Sequence, residues 1–105
     1  MIKYRIARRY EILKIIDPYT IAILILLRKG SMNLSEIFRN VSEIAIISMM
    51  TLVKKIRGLL EYNLIAIVER RKGPLAEEKR YQLTPRGRQL ADAFLKILGN
   101  NAYLA

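Results

Sequence analysis

The amino-acid sequence predicts a mainly helical α+β domain carrying one small β-hairpin. Three observations lead there. Apolar residues recur at helical spacings over most of the chain up to Tyr62. Two short stretches of strand-like composition flank the loop signal Lys72-Gly73-Pro74. Thr84-Pro85 then opens a last apolar stripe. No repeat, low-complexity segment or linker divides the 105 residues, which suit a single domain spanning 1–105.

Residues 1–17 read as an amphipathic helix. Ile2, Ile6, Ile12, Leu13 and Ile16 form its apolar side, and Lys3, Arg5, Arg8, Arg9 and Lys14 the other. Asp17-Pro18 stops it, because the residue before proline avoids helical dihedrals. A core of 19–84 follows. Tyr19 to Arg28 is apolar nearly all round and belongs at the centre of the fold, with Lys29-Gly30 closing it. Ser31-Met32-Asn33 is a connector. Leu34 to Asn40 is a short helix capped by Asn33, with Glu36 placed to complete a capping box. Asn40-Val41-Ser42 is a turn, and Ser42 caps a longer helix over 43–62 with Leu52, Ile56 and Leu59 on its inner face. Asn63 ends it, since asparagine tolerates the left-handed conformation.

Leu64 to Arg71 is a strand and Lys79 to Leu83 its returning partner, so the hairpin occupies about 64–83. Leu75-Ala76-Glu77-Glu78 between them is undecided and could form the hairpin's tip. Glu77 and Glu78 would repel phosphate there, or pair with Lys79 or Arg80. Thr84 caps a final helix over 85–98, whose stripe is Leu90, Ala91, Phe94, Ile97 and Leu98. The two terminal helices are the candidates for a dimer interface, each carrying a stripe that a small core need not use.

Nineteen Lys and Arg against nine Asp and Glu give a formal net charge of +10. Such an excess favours a polyanionic partner, nucleic acid first and an anionic membrane surface second. Cysteine and histidine are absent. Their absence removes thiolate metal sites, the commonest zinc ligand and histidine-based nucleophile activation, so an enzyme is the weakest reading and neither cofactor nor metal is expected. The longest unbroken apolar run, Ile21 to Leu27, is far short of the roughly 20 residues that span a bilayer. No secretory signal is evident, and the expected location is the cytoplasm, on the nucleoid. The isoleucine-rich, highly charged composition is compatible with a thermophilic source.

A short helix, a turn, a longer helix and a directly following hairpin make a helix-turn-helix with a wing. The segment Leu52-Val53-Lys54-Lys55-Ile56-Arg57-Gly58-Leu59-Leu60-Glu61-Tyr62-Asn63-Leu64-Ile65 resembles the end of the recognition helix and start of the wing in PadR-like and MarR-like winged-helix regulators. Asn63 stands where those families usually have glycine. Tyr81-Gln82-Leu83-Thr84-Pro85-Arg86-Gly87-Arg88-Gln89-Leu90 resembles their closing motif, Tyr-x-Leu-Thr-x-x-Gly-x-x-Leu. The resemblance implies a small dimeric transcription regulator that binds double-stranded DNA sequence-specifically. Its long helix would enter the major groove, its wing would lie on the adjacent backbone or minor groove, and terminal helices would join two copies. Carried over by position, Ser48, Thr51, Lys54 and Lys55 would face the groove, with Arg57 beside them, and Arg70, Arg71, Lys72, Lys79 and Arg80 would be the wing contacts. Independently, Lys54 and Lys55 lie away from the apolar face of their helix, and lysine reaches guanine or phosphate.

One stretch fits poorly. Ile44, Ala45, Ile46, Ile47, Met49 and Met50 make the first half of the proposed recognition helix apolar almost all round. Either another subunit or protein covers it, or Ile47 and Met50 meet thymine methyls. Two further functions use the same fold: an architectural or plasmid-partition adaptor of low sequence specificity, and a winged helix serving protein contacts. Vesicle binding by the basic N-terminal segment would mark a membrane-surface role.

Overall fold

The computed structural model describes residues 15–71 and 77–99. Most of the helix expected over 1–17 therefore lies outside the described residues. Helix α1 (Pro18–Leu26) starts at the expected break. Asp17 is its N-cap, accepting the Thr20 N–H at 2.8 Å, and Pro18 occupies the first turn, where its missing N–H has no partner to lose. Ile23 and Leu24 are fully buried, and buried Thr20 donates its hydroxyl to the Ile15 carbonyl at 2.9 Å. A 3-10 turn over Leu27–Lys29 and Gly30 at φ 141° close the helix.

Helix α2 (Leu34–Ile44) begins with the expected capping box. Asn33 Oδ1 accepts the Glu36 N–H at 2.8 Å, and Glu36 returns the bond to the Asn33 N–H at 3.2 Å. Its end differs from expectation. The turn expected at Asn40-Val41-Ser42 is helical, because Ile37 and Val41 continue one buried stripe at a spacing of four. Ser42 is an exposed residue inside α2 and caps nothing. The connection is Ala45 to Ser48, and helix α3 runs Met49–Glu61. Ser48 caps it, accepting the Thr51 N–H at 3.1 Å. Ile47 is buried in the core and anchors the turn.

The end of α3 follows the residues closely. Asn63 sits at φ 59°, the left-handed conformation its type allows. Its N–H bonds the Leu60 carbonyl at 3.0 Å and the Leu64 N–H bonds the Leu59 carbonyl at 2.9 Å, with Leu59 and Leu64 both buried. This is a Schellman closure with its hydrophobic contact, made with asparagine in place of glycine.

Strands β1 (Ile65–Arg71) and β2 (Glu77–Leu83) pair antiparallel from Ile65 opposite Leu83 to Arg71 opposite Glu77. Strand β2 thus starts two residues earlier than Lys79. Met32 bridges to Tyr81 through two backbone hydrogen bonds of 2.8 and 3.0 Å, so the expected connector adds a third rung beside β2. Helix α4 (Pro85–Leu98) opens with Thr84 as cap and packs beside α1, where Arg28 Nε lies 2.7 Å from Asp92 Oδ1. The core joins Ile23, Leu24 and Leu27 of the first segment to Ile37, Leu52, Leu59, Leu64 and Ile65.

The closing motif has a mechanical reading. Thr84 Oγ1 accepts the Gly87 N–H at 3.0 Å and donates to the Asn63 carbonyl at 2.7 Å. The Thr84 N–H bonds the Leu64 carbonyl at 3.1 Å. A Cβ on Gly87 would stand 1.8 Å from that carbonyl oxygen. Glycine is required because the chain leaving α3 crosses directly over the start of α4.

Candidate nucleic-acid interface

Helix α3 buries Leu52, Ile56 and Leu59 and so turns its opposite side outward. Met50, Lys54, Arg57 and Glu61 are exposed and follow one another at spacings of four, three and four, one row along the helix. Thr51 is exposed beside that row. Neither Lys54 nor Arg57 pairs with a carboxylate among the described residues. The end of α3 that begins at Ser48 also carries the positive pole of the helix. The Ser48 hydroxyl donates to Thr51 Oγ1 at 2.9 Å, so both hydroxyls belong to the cap.

Lys55 stands apart from this row. Its ammonium pairs with the Asp17 carboxylate and lies 5.4 Å from the centroid of the Tyr19 ring, leaving the side chain 19% exposed. Burial alone would raise the Asp17 pKa, but hydrogen bonds from Lys55 and Thr20 outweigh it and hold the carboxyl below its ordinary 3.8. Tyr19 in turn donates its hydroxyl to the Ile46 carbonyl at 3.2 Å. Asp17, Tyr19 and Lys55 therefore tie α3 and the preceding turn to the start of α1. A cleft of about 240 Å³ bordered by Ile15, Asp17, Thr51, Lys54, Lys55 and Gly58 lies beside this tie.

In the wing, the ladder sets Glu69 opposite Lys79, Arg70 opposite Glu78 and Arg71 opposite Glu77. Lys72 lies outside the described residues. Lys79 is exposed. Arg80 has turned inward: it donates to the Ser31 carbonyl at 2.5 Å, Ser31 Oγ at 3.0 Å, Glu36 at 3.0 Å and Glu78 at 3.1 Å, with its side chain only 14% exposed. Asn33 Nδ2 also donates to Glu78, at 2.5 Å. Arg80 thus staples the wing to the start of α2. No local pattern announces this network, because its partners lie 44 and 49 residues away along the chain.

The structure brings Thr51, Lys54 and Arg57 together on one exposed side of α3, with Ser48 at its head. It holds Lys55 and Arg80 in ion pairs within the domain. The apolar stretch preceding this side is resolved differently from expectation. Ile47 is 9% exposed and cannot reach a base, whereas Ile46 is 96% and Met50 71% exposed. No described helix is long and apolar enough to cross a membrane.

The HxlR-like helix-turn-helix family matches residues 15–102. No curated protein matches the chain by sequence. Among solved structures, PadR of Bacillus subtilis in complex with operator DNA is similar at 25% identity and a TM-score of 0.60, over 72% of this chain. The chain spans 45% of that PadR chain. The transcriptional repressor BigR from Xylella fastidiosa is similar at 21% identity and a TM-score of 0.68, over 91% of this chain and 88% of BigR. The reduced form of the transcriptional regulator YodB from B. subtilis is similar at 19% identity and a TM-score of 0.67, over 90% of this chain and 85% of YodB. The fold shared with BigR and YodB is the winged helix that the sequence motifs imply. With α2 and α3 as its helix-turn-helix and β1 and β2 as its wing, the chain belongs to the HxlR-like helix-turn-helix family.

Proposed function

We propose that the protein is a transcription regulator that binds double-stranded DNA sequence-specifically as a homodimer. The exposed row of α3 carries this reading: Lys54 and Arg57 stand on the outward side of the second helix of a helix-turn-helix, unpaired among the described residues. A helix fits the major groove, and lysine and arginine bind guanine edges and phosphates there. Thr51 and Ser48 stand at the head of the row, where a hydroxyl reaches a phosphate without leaving its cap. Arg70, Arg71, Lys72 and Lys79 of the wing would follow the adjacent backbone. Arg80 and Lys55 are left out of the contact set because intramolecular carboxylates hold them. The overall charge of +10 supports a polyanionic partner, and membership of a helix-turn-helix family supports DNA as that partner.

Dimerisation is proposed through α4 and the segment before α1. On α4, Ile97 is 78% exposed, and Phe94 and Leu90 are only partly buried. An apolar stripe of this kind suits a two-fold contact in which the same surface meets itself.

The test is selection of bound sequences from a random duplex pool, repeated across a salt series. A two-fold motif with half-sites about one helical turn apart, and an affinity that falls steeply with salt, is the expected result. Salt-sensitive binding without a motif would replace sequence reading by an architectural role. No binding at low salt would refute the proposal.

A further inference from the structure

The row on α3 does not begin with a cation. Met50 lies one turn before Lys54 on the same line and is 71% exposed. Ile46, in the turn just before the Ser48 cap, is 96% exposed, and the Tyr19 hydroxyl holds its carbonyl. Neither side chain packs in the core, whereas Ile47 between them does. A nearly bare isoleucine and methionine at the head of a charged row call for an occupant. The occupant must meet two conditions: it must be anionic, to sit on Lys54 and Arg57, and it must offer an apolar group at the positive end of the helix. Phosphate offers no such group. In the major groove, the C5 methyl of thymine is the apolar feature on the base edges. At the far end of the row, Glu61 would repel phosphate, so the helix would approach with Met50 leading.

We propose that Met50 and Ile46 are specificity-determining residues that read thymine methyl groups, so that the preferred site carries A·T pairs beneath the start of α3. This inference rests on the DNA-binding reading above and adds a chemical preference to it. The hydrogen-bonding capacity at this end is largely taken up within the cap, where Ser48 and Thr51 bond each other. Base discrimination here would come from apolar contact.

The experiment uses fluorescence anisotropy with two probes. One is the duplex this protein enriches most from a random pool. The other is the same duplex with deoxyuridine in place of every thymidine, which removes the methyls and keeps the Watson–Crick pairing. Wild type should bind the deoxyuridine duplex about fourfold more weakly for each methyl contacted. Met50→Ala and Ile46→Ala together should weaken binding to the thymidine duplex and abolish the difference between the probes. Both sites are exposed, so the fold should be unaffected, which circular dichroism checks. Equal binding of both probes by wild type would overturn the inference and leave DNA binding intact, the apolar pair then serving a protein contact. A thymidine preference that survives in the double variant would also overturn it. Failure to bind either probe would overturn both readings.

Discussion

The outward side of α3 and the base of the wing both carry cations, and they hold them differently. On α3, Lys54 and Arg57 project without a carboxylate partner among the described residues. In the wing, Arg80 donates to two carboxylates and a backbone carbonyl. A paired cation has already exchanged its water for a carboxylate and gains less from a phosphate than a solvated one. Net charge therefore supports a polyanionic partner but does not locate the contact. Under the proposed DNA-binding reading, partner geometry favours Lys54 and Arg57 over Arg80 as contacts, with Arg80 bracing the base of the wing.

The largest effect should come from breaking the root of the wing. Gly87→Ala would put a Cβ 1.8 Å from the Leu64 carbonyl oxygen, and only a backbone shift between β1 and α4 could relieve it. The expected loss exceeds about 3 kcal/mol, read as a large fall in melting temperature or as failure to accumulate folded protein. The same substitution in α3 is the contrast. A Cβ on Gly58 would lie 3.6 Å from Ile15, an ordinary contact, and Gly58→Ala should stabilise the helix by about 0.5–1 kcal/mol.

Next in size is the separation of DNA contact from bracing. Lys54→Ala with Arg57→Ala should lower DNA affinity at least tenfold and reduce the magnitude of the log–log salt slope by about 2, with little change in stability. Lys79→Ala should lower affinity less, because Glu69 stands opposite it. Arg80→Met should behave in the opposite way. Losing a mostly buried guanidinium leaves Glu36 and Glu78 without it, at a cost of about 2 kcal/mol in chemical denaturation. Its salt slope should match wild type. An Arg80→Met variant of normal stability but reduced slope would return Arg80 to the DNA contacts.

The contrast between the two regions also separates what was legible in the sequence from what was not. Local chemistry was legible: the break at Asp17-Pro18, the Asn33 and Glu36 box, the left-handed Asn63, the Thr84 cap and the hairpin between Leu64 and Leu83 are each decided by residues close in the chain. The α2–α3 boundary was misplaced because two serines compete as caps. Ser48 has Thr51 three residues on, and the tertiary burial of Val41 and Ile47 decides in its favour. The apparent all-apolar half-helix was the clue, since no single helix face could hold all six residues: Ile44 ends α2, Ile47 packs inward in the turn, and Ile46 and Met50 project outward. The roles of Lys55 and Arg80 were not legible. Each depends on a carboxylate brought close by the fold, 38 and 44 residues away.

The smallest effect tests the tie that fixes α3 in place. The Asp17 carboxyl is held below its ordinary value in the folded protein, chiefly against the upward push of burial, by hydrogen bonds from Lys55 and Thr20. A folded-state pKa below the unfolded one means that the folded protein prefers the ionised form. The stabilisation is then complete above the ordinary carboxylate range and disappears as pH falls through the lowered value. Stability from this source should be flat above about pH 5 and decline below about pH 4. The pair is partly solvated, with the Asp17 side chain 37% exposed, so its contribution should stay below about 1 kcal/mol. Asp17→Asn isolates it, because asparagine still caps α1 but cannot pair with the ammonium. In urea titrations from pH 3 to pH 7, the difference between wild type and Asp17→Asn should narrow toward the acid end. A difference that persisted unchanged at pH 3 would mean that capping geometry, and not the Lys55 ion pair, is what Asp17 contributes to the seating of α3.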